Sequence, residues 1–182
     1  MTSKRHLPSR DFAVVPPGKW AWITGIGLAV LMPAIALAGV ALSQRSEALL
    51  PVLCVTGVLM LAVALFLFAC MRRRKVSLED GMLVVRATLY TLRISAKELD
   101  LGGARIMDLR EHREYLPMIK SNGFGLPGFW AGHFRSKRFG KQFVLLTDRS
   151  RVLLLPQHSG RHILLSLEHP EALLKILKAE QD

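Results

Sequence analysis

Metal chemistry is the first possibility that the side chains raise. His158 and His162 flank a predicted turn and could bind one cation between them. A structural zinc site takes four Cys, His or carboxylate ligands, and the sequence around these histidines places no third one. The two cysteines, Cys54 and Cys70, lie far away in an apolar stretch. We therefore predict no metal site, no catalytic thiol and no cofactor.

Acid–base chemistry would need carboxylates held beside a base. One short segment contains Asp108, Glu111, His112 and Glu114. Catalysis also requires a nucleophile and a group that orients the base, and no such constellation is recognisable in the sequence. We interpret this segment as a solvated strand end or loop, and we predict that the protein has no catalytic residues and is not an enzyme.

Residues 123–128 read GFGLPG and match the Gly-x-Gly-x-x-Gly pattern of dinucleotide-binding loops. That fingerprint requires a strand before it and a helix after it, whereas a β-rich stretch follows here. The glycines and Pro127 predict a stiff loop instead. Exposed aromatic residues on this loop, namely Phe124, Phe129 and Trp130, would form an edge for a partner or for the membrane.

Two groups of cations could contact anionic lipid, at about 1 kcal/mol for each cation near the surface. The alternative is that both groups are simply solvated. Nucleic acid is another partner of basic proteins, but no helix-turn-helix, zinc or RNA-binding signature accompanies the charge, and we predict none. One group follows an apolar stretch and the other surrounds Phe139 at a predicted hairpin tip: Arg72, Arg73, Arg74 and Lys75, and Arg135, Lys137, Arg138 and Lys141.

Two apolar stretches must position these groups. Trp20–Leu42 and Leu49–Met71 are long enough as helices to cross a hydrocarbon core of about 30 Å, and the second has no charged side chain. The connector 43–48 is short, so the two helices must form an antiparallel hairpin. Its flanks are strongly basic, which predicts that both chain termini are cytoplasmic. A cleaved signal peptide ending near Ala38 is disfavoured because the apolar run is too long.

Charge divides the chain of 182 residues into three parts. Of the net charge of +11, residues 72–182 contribute +8, with 20 Lys and Arg against 12 Asp and Glu. We predict a flexible basic N-terminal arm at 1–19, a two-helix transmembrane hairpin at 20–71 and a soluble domain at 72–182. A domain of this length can bury a core without metals or disulfides.

The soluble domain is predicted to be mainly β, because short apolar runs alternate with turn residues. Turns at 148–150 and 157–160 predict that the last three strands form hairpins with their sequence neighbours. An amphipathic helix begins at Pro170. The predicted strands are Met82–Ala87, Tyr90–Ser95, Ala104–Leu109, Phe129–Arg135, Gln142–Thr147, Arg151–Pro156 and His162–Leu165.

Three segments resemble the bacterial pleckstrin-homology-like (PH-like) domains of small membrane proteins. They are SNGFGLPGFWAGHF (Ser121–Phe134), FVLLTDRSRVLLLP (Phe143–Pro156) and HILLSLEHPEALLKIL (His162–Leu177). The resemblance covers about residues 76–180 and departs at His169, where an Asp often caps the last helix. It implies a partly open barrel of two crossed sheets, plugged by the C-terminal helix, and a generally non-enzymatic domain.

The predicted fold class is therefore a membrane α-hairpin of two transmembrane helices followed by a mainly-β PH-like barrel with one C-terminal α-helix. We predict a non-enzymatic, membrane-tethered binding or scaffold module at the cytoplasmic face of the bacterial inner membrane. Its partner would be another protein or a second copy of the chain. The alternative is a module that senses anionic lipids through the basic tip and the juxtamembrane cations.

Overall fold

The computed structural model describes residues 10–43 and 49–181, and the predictions for residues 1–9 and for the connector 44–48 lie outside them. Strand β1 comes first, two long helices follow, and a β domain closed by a helix completes the chain. The elements are β1 Arg10–Phe12, α1 Lys19–Ser43, α2 Leu49–Arg72, β2 Arg74–Glu79, β3 Met82–Ala87, β4 Tyr90–Ser95, β5 Arg105–Met107, β6 Ile119–Leu126, β7 Phe129–Ser136, β8 Gly140–Leu146, β9 Val152–Pro156, β10 His162–Ser166 and α3 Pro170–Gln181, with 3-10 turns at Ala96–Glu98 and Arg113–Tyr115.

Helices α1 and α2 are apolar and long enough to cross a membrane. Only 6% of the most apolar part of α2 is buried by the rest of the protein, and 19% of that of α1, which is unlike the core helix of a soluble protein. The start of α1 meets the end of α2, where the rings of Trp22 and Phe68 are 5.7 Å apart. The two helices therefore run antiparallel, as predicted.

Two sheets enclose the main core. One sheet has the order β1-β2-β3-β4, and the other has the order β5-β9-β10-β8-β7-β6. Fully buried side chains from both sheets, such as Val85 and Leu145, meet in one apolar cluster. Leu173 and Leu177 of α3 join this cluster, and Gln181 Nε2 donates hydrogen bonds to the carbonyl oxygens of residues 96 and 99. The predicted amphipathic helix is thus confirmed as part of the core.

The six-stranded sheet is also covered on its outer face. Val144, Leu146 and Leu164 pack there against Tyr115, and Gln142 Nε2 donates a hydrogen bond to the Tyr115 carbonyl oxygen at 3.2 Å. Strands buried on both faces need apolar residues at every position rather than at alternate ones. This explains why the sequence of β8, β9 and β10 is almost continuously apolar.

The predicted hairpin between β8 and β9 is wrong. Strand β10 lies between them, parallel to β8 and antiparallel to β9, so that Ile163 pairs with Phe143 on one side and Leu155 on the other. The turn at 148–150 does reverse the chain, but it does not make its two strands neighbours. A strand that is apolar on both faces fits the middle of a sheet, and local turn chemistry cannot choose its neighbours.

The described part of the N-terminal arm belongs to the β domain, so the flexible-arm prediction is wrong for residues 10–18. Strand β1 pairs with β2, placing Phe12 opposite Val76. The chain then crosses to the other sheet, where the Val15 carbonyl oxygen accepts a hydrogen bond of 2.6 Å from the Thr147 hydroxyl. Strands β2 and β6 were also absent from the predicted set, whereas β3 and β4 have the predicted bounds.

Candidate functional site: the helix junction, the basic tip and a basic cleft

The junction between the helices and the β domain is formed by the turn between β6 and β7. A methyl group placed on Gly25 of α1 would lie 3.5 Å from Leu126 Cδ1 and 3.7 Å from Met71 Sδ. At the turn, Gly128 has φ +79°, and a methyl group there would lie 3.7 Å from Ala21 Cβ. The turn therefore packs against the start of α1 and the end of α2, which holds the β domain on its helices.

The four juxtamembrane cations have different surroundings. Arg74 Nη1 donates a 2.6 Å hydrogen bond to the Met71 carbonyl oxygen near the end of α2. Burial, together with the charge of Arg72, lowers the pKa of Arg74. Lys75 forms a 2.9 Å ion pair with Asp11 of β1. Arg74 is thus held against the end of α2, whereas the Lys75 side chain stays 46% exposed in its ion pair.

Arg72 and Arg73 are exposed and lie where the domain joins α2. The Arg72 guanidinium is 5.0 Å from the centre of the Phe68 ring. The Arg73 carbonyl oxygen accepts a 2.8 Å hydrogen bond from Thr88 N, in the turn between β3 and β4. The next residue, Leu89, is 59% exposed although it is apolar. This turn therefore places an open leucine beside two cations at the end of the apolar helix.

The basic tip, which we define as Arg135, Lys137, Arg138 and Lys141, lies at the other end of β7. The predicted hairpin is confirmed, because β7 and β8 pair up to Ser136 and Gly140. All four cations are exposed. Seven residue steps separate Phe129 from Ser136, or about 23 Å of strand. The eight predicted lipid-contact residues therefore form two separate groups, and not one surface.

The predicted aromatic edge is wrong for Phe129, which is fully buried in the core. Phe124 is half-buried, with its ring 5.7 Å from that of Phe129. Trp130 is half-buried on the opposite face of the sheet, where the Arg149 guanidinium lies 4.4 Å from its ring centre. Because successive strand residues point to opposite faces, Phe129 and Trp130 cannot share one surface.

The glycine-rich segment is a strand followed by a turn, and the loop prediction is wrong for its first part. Residues 119–126 form β6, and only Gly128 of this segment has a positive φ. Gly123 is needed for space: a methyl group there would lie 2.6 Å from the Phe134 ring. On the neighbouring strand, a methyl group on Gly132 would lie 2.7 Å from the Tyr90 ring. Gly123 therefore makes room for a side chain of its own sheet, and Gly132 lets the two sheets approach.

Asp108 and His162, two of the acidic and histidine candidates, make contacts that stabilise the fold. Asp108 Oδ1 accepts a 2.7 Å hydrogen bond from the backbone of Arg110, which is a turn contact. His162 packs against the stacked rings of Tyr115 and Phe139, and burial lowers its pKa. Among the described residues there is no group of three or more His, Cys, Asp or Glu side chains that could hold a metal ion.

A cleft of about 280 Å³ opens between the two sheets, and no sequence pattern had pointed to it. Leu92 of β4 forms one side, while His133 of β7 and Lys141 of β8 form the other. Arg161, in the turn before β10, completes its rim. These residues come from four separate segments, so only their register in the folded sheets brings them together.

A protein-family model described as "Bacterial PH domain" matches residues 74–181. The chain belongs to the bacterial PH domain family. This confirms the resemblance drawn from the sequence, and the two sheets with a C-terminal helix fit the PH-like fold. PH-like domains are generally non-catalytic binding modules. Searches of curated proteins and of solved structures found no match. Strand β1 lies outside the matched range, so the PH domain of this chain is extended by a strand from before its helices.

Proposed function

We propose that this chain is a non-enzymatic PH module tethered to the cytoplasmic face of the bacterial inner membrane, and that it binds another protein or a second copy of itself. The hairpin of α1 and α2 would cross the bilayer with both termini in the cytoplasm, as the basic flanks favour. The observation that supports the binding role best is the distance between the junction and the basic tip, which lie at opposite ends of β7. The junction end is covered by the protein's own helices, and the tip end presents cations to solvent.

The charge of the basic tip favours an acidic partner surface. Arg135, Lys137 and Lys141 form no ion pair with any described residue. Phe139, between them in sequence, turns inward and stacks on Tyr115 at 4.2 Å, which orders the turn. An ordered turn loses little conformational entropy on binding, and tethering raises the effective concentration of a membrane partner, so weak contacts would still be populated.

Site-specific photo-crosslinking in native membranes would test this function. A photoreactive residue at Lys137 should give a defined protein adduct, including one of twice the chain mass if the partner is a second copy. The same residue at Leu89 serves as the matched control, because Leu89 is equally open but lies at the junction. An adduct profile at position 137 that contained lipid only would contradict the proposal. Reporter fusions at both chain ends would test the orientation separately.

The second candidate function is contact with anionic lipids. Exposed Arg72 and Arg73 beside the open Leu89 favour it at the junction. The tip would reach the same bilayer only if β7 lay along the membrane plane. Reconstitution of the full chain into vesicles tests this. The solvent accessibility of a label is measured at Leu89 in the junction and at Lys137 in the tip. Anionic lipid should protect a label at Leu89, and neutral lipid should protect it less. Equal protection in both lipids would remove charge recognition from the proposal.

A further inference from the structure

The cleft between the sheets combines apolar walls with cationic rims. Leu92 and the ring of Phe143 supply apolar surface from opposite sheets. His133 is held in place between two rings, 5.0 Å from that of Phe143 and 6.2 Å from that of Tyr90. Such a mixture of apolar surface and a few convergent polar groups is the usual composition of a small-molecule site.

The electrostatic character of the cleft is uniformly positive. Lys141 and Arg161 both line it, and neither forms an ion pair with a described residue. None of the described residues that line the cleft is Asp or Glu. Burial, and then the charge of Arg161, lowers the pKa of His133, which also lines the cleft.

A neutral donor adds to these cations. Gln157 lines the cleft, and its Oε1 accepts a 3.1 Å hydrogen bond from the Ser159 hydroxyl. This contact orients the amide and leaves its Nε2 group as a donor. Arg161, Lys141 and Gln157 thus surround the cleft with N–H groups.

We propose that this cleft binds a phosphate monoester whose organic part is apolar or aromatic, with Arg161 and Lys141 on the phosphate and Phe143 and Leu92 around the organic part. Two permanent cations match the charge of about −1.5 to −2 that a phosphate monoester carries at neutral pH. Arginine suits this ligand because its planar group can hold two phosphate oxygens at once. The site shares Lys141 with the basic tip, whereas Arg161, Phe143 and Leu92 lie outside the tip.

The ligand could be a soluble molecule or a lipid headgroup, since both carry the same group. The position of the cleft favours a soluble one. On β7 the cleft begins at His133, four residues or about 13 Å beyond Phe129 at the junction turn. A headgroup would have to leave the plane of its neighbours to reach Lys141.

The test uses the full chain in nanodiscs of zwitterionic lipid, titrated with phenyl phosphate in a calorimeter. We expect saturable binding of one molecule per chain, weaker binding of inorganic phosphate and none of benzyl alcohol. Arg161→Gln and Lys141→Gln should each weaken the binding about tenfold, which corresponds to one charge-assisted hydrogen bond. Arg93→Gln is the matched control, because Arg93 is exposed on the opposite face of β4 from Leu92.

The outcomes separate cleanly. Saturable binding with the Arg161-specific loss supports the site, and competition by phosphatidic acid in the nanodisc would assign its ligand to the lipid. Equal weakening by Arg93→Gln would mean that only overall charge matters, and it would overturn the proposal. Absence of saturable binding by phenyl phosphate, inorganic phosphate and phosphatidic acid would overturn it as well. Unchanged thermal unfolding of each variant shows that a lost signal is not a lost fold.

Discussion

The two ends of strand β7 differ in almost every physical respect. At its start, Phe129 is fully buried, and the preceding turn packs against α1. At its end, Lys137 and Arg138 are exposed, and the following Gly140 has open space around it. Glycine and phenylalanine lie in or beside both turns, as Gly128 and Phe129 and as Phe139 and Gly140, so composition alone does not separate them. The difference shows that one strand can be part of the buried core at one end and part of the exposed surface at the other.

The alternation of side chains along the strand explains this division. Phe129 and Ala131 point into the main core, whereas Trp130 and Phe134 pack on the outer face of the same sheet. Along β7, the Lys and Arg side chains lie only at the end that extends beyond the two apolar clusters, at Arg135 and in the turn that follows. The buried end should therefore respond strongly to substitution, and the exposed end should hardly change stability.

The largest effect is expected at Phe129. Phe129→Ala removes a fully buried ring and should lower the free energy of unfolding by about 3–5 kcal/mol. Phe124→Ala is the control and should cost clearly less, because Phe124 is only half-buried. Urea titration followed by Trp130 fluorescence, in a background with Trp20→Phe and Trp22→Phe, measures both. Equal losses would mean that Phe129 is as exposed as its sequence context predicts.

Gly132→Ala should be the next most damaging change. Gly132 has φ +109°, and the new methyl group would meet the Tyr90 ring at 2.7 Å and Gly123 Cα at 2.8 Å. Backbone strain and overpacking together should cost about 3 kcal/mol or more. Gly140→Ala, with φ +68° and nothing nearby, should cost about 1–2 kcal/mol. If both variants unfold at the same urea concentration, contact between the sheets is not what requires glycine at 132.

Acidification should give a smaller effect at the tip end of the sheet. Burial lowers the pKa of His162 below its ordinary value of 6.5, so the unfolded chain takes up a proton before the folded chain does. Stability is therefore complete above pH 6.5 and falls as the pH decreases below it. The share of His162 in this slope should stay under about 1.4 kcal/mol per pH unit, since only one proton is linked to folding at this ring.

Replacement of the histidine isolates its share of the pH dependence. Unfolding of His162→Phe, followed from pH 7.5 to 5, should show a shallower decline than unfolding of the original chain. His133 keeps its own contribution, because burial and Arg161 lower the pKa of that residue too. An unaltered slope in His162→Phe would show that the protonation of His162 is not linked to folding.

The smallest change in stability is expected at the basic tip. Lys137→Glu with Arg138→Glu should shift the free energy of unfolding by no more than about 0.5 kcal/mol, as for other open surface positions. With the photoreactive residue at position 137, Arg138→Glu alone should lose the crosslinked adduct at the tip. Arg74→Gln at the junction is the contrast, since it breaks the hydrogen bond to Met71 and should cost about 1 kcal/mol. If the tip variant and Arg74→Gln lowered the free energy of unfolding equally, the two ends of β7 would not differ in their contribution to stability.

A feature could be predicted from the sequence when the residues that determine it are close together in the chain. The bounds of β4 were predictable because apolar and polar residues alternate over its six positions, whereas β3 was visible as a short, mostly apolar run. Strand β6 was missed because Gly123 and Gly125 have the composition of a loop, and the reason for glycine there lies on the neighbouring strand. The cations at the tip were visible as a cluster, yet their distance from Arg72–Lys75 depends on the course of β7.

The amino-acid sequence alone determined the two apolar helices, the basic clusters, the final amphipathic helix and the resemblance to PH-like domains. Each of these depends on residues that are close together in the chain, where hydrophobic period and charge can be read directly. The tertiary structure alone decided that β10 separates β8 from β9, that residues 10–12 complete the first sheet, and that Lys141 and Arg161 share a cleft. The partners in these contacts are separated along the chain, and many apolar strands could satisfy the same local pattern.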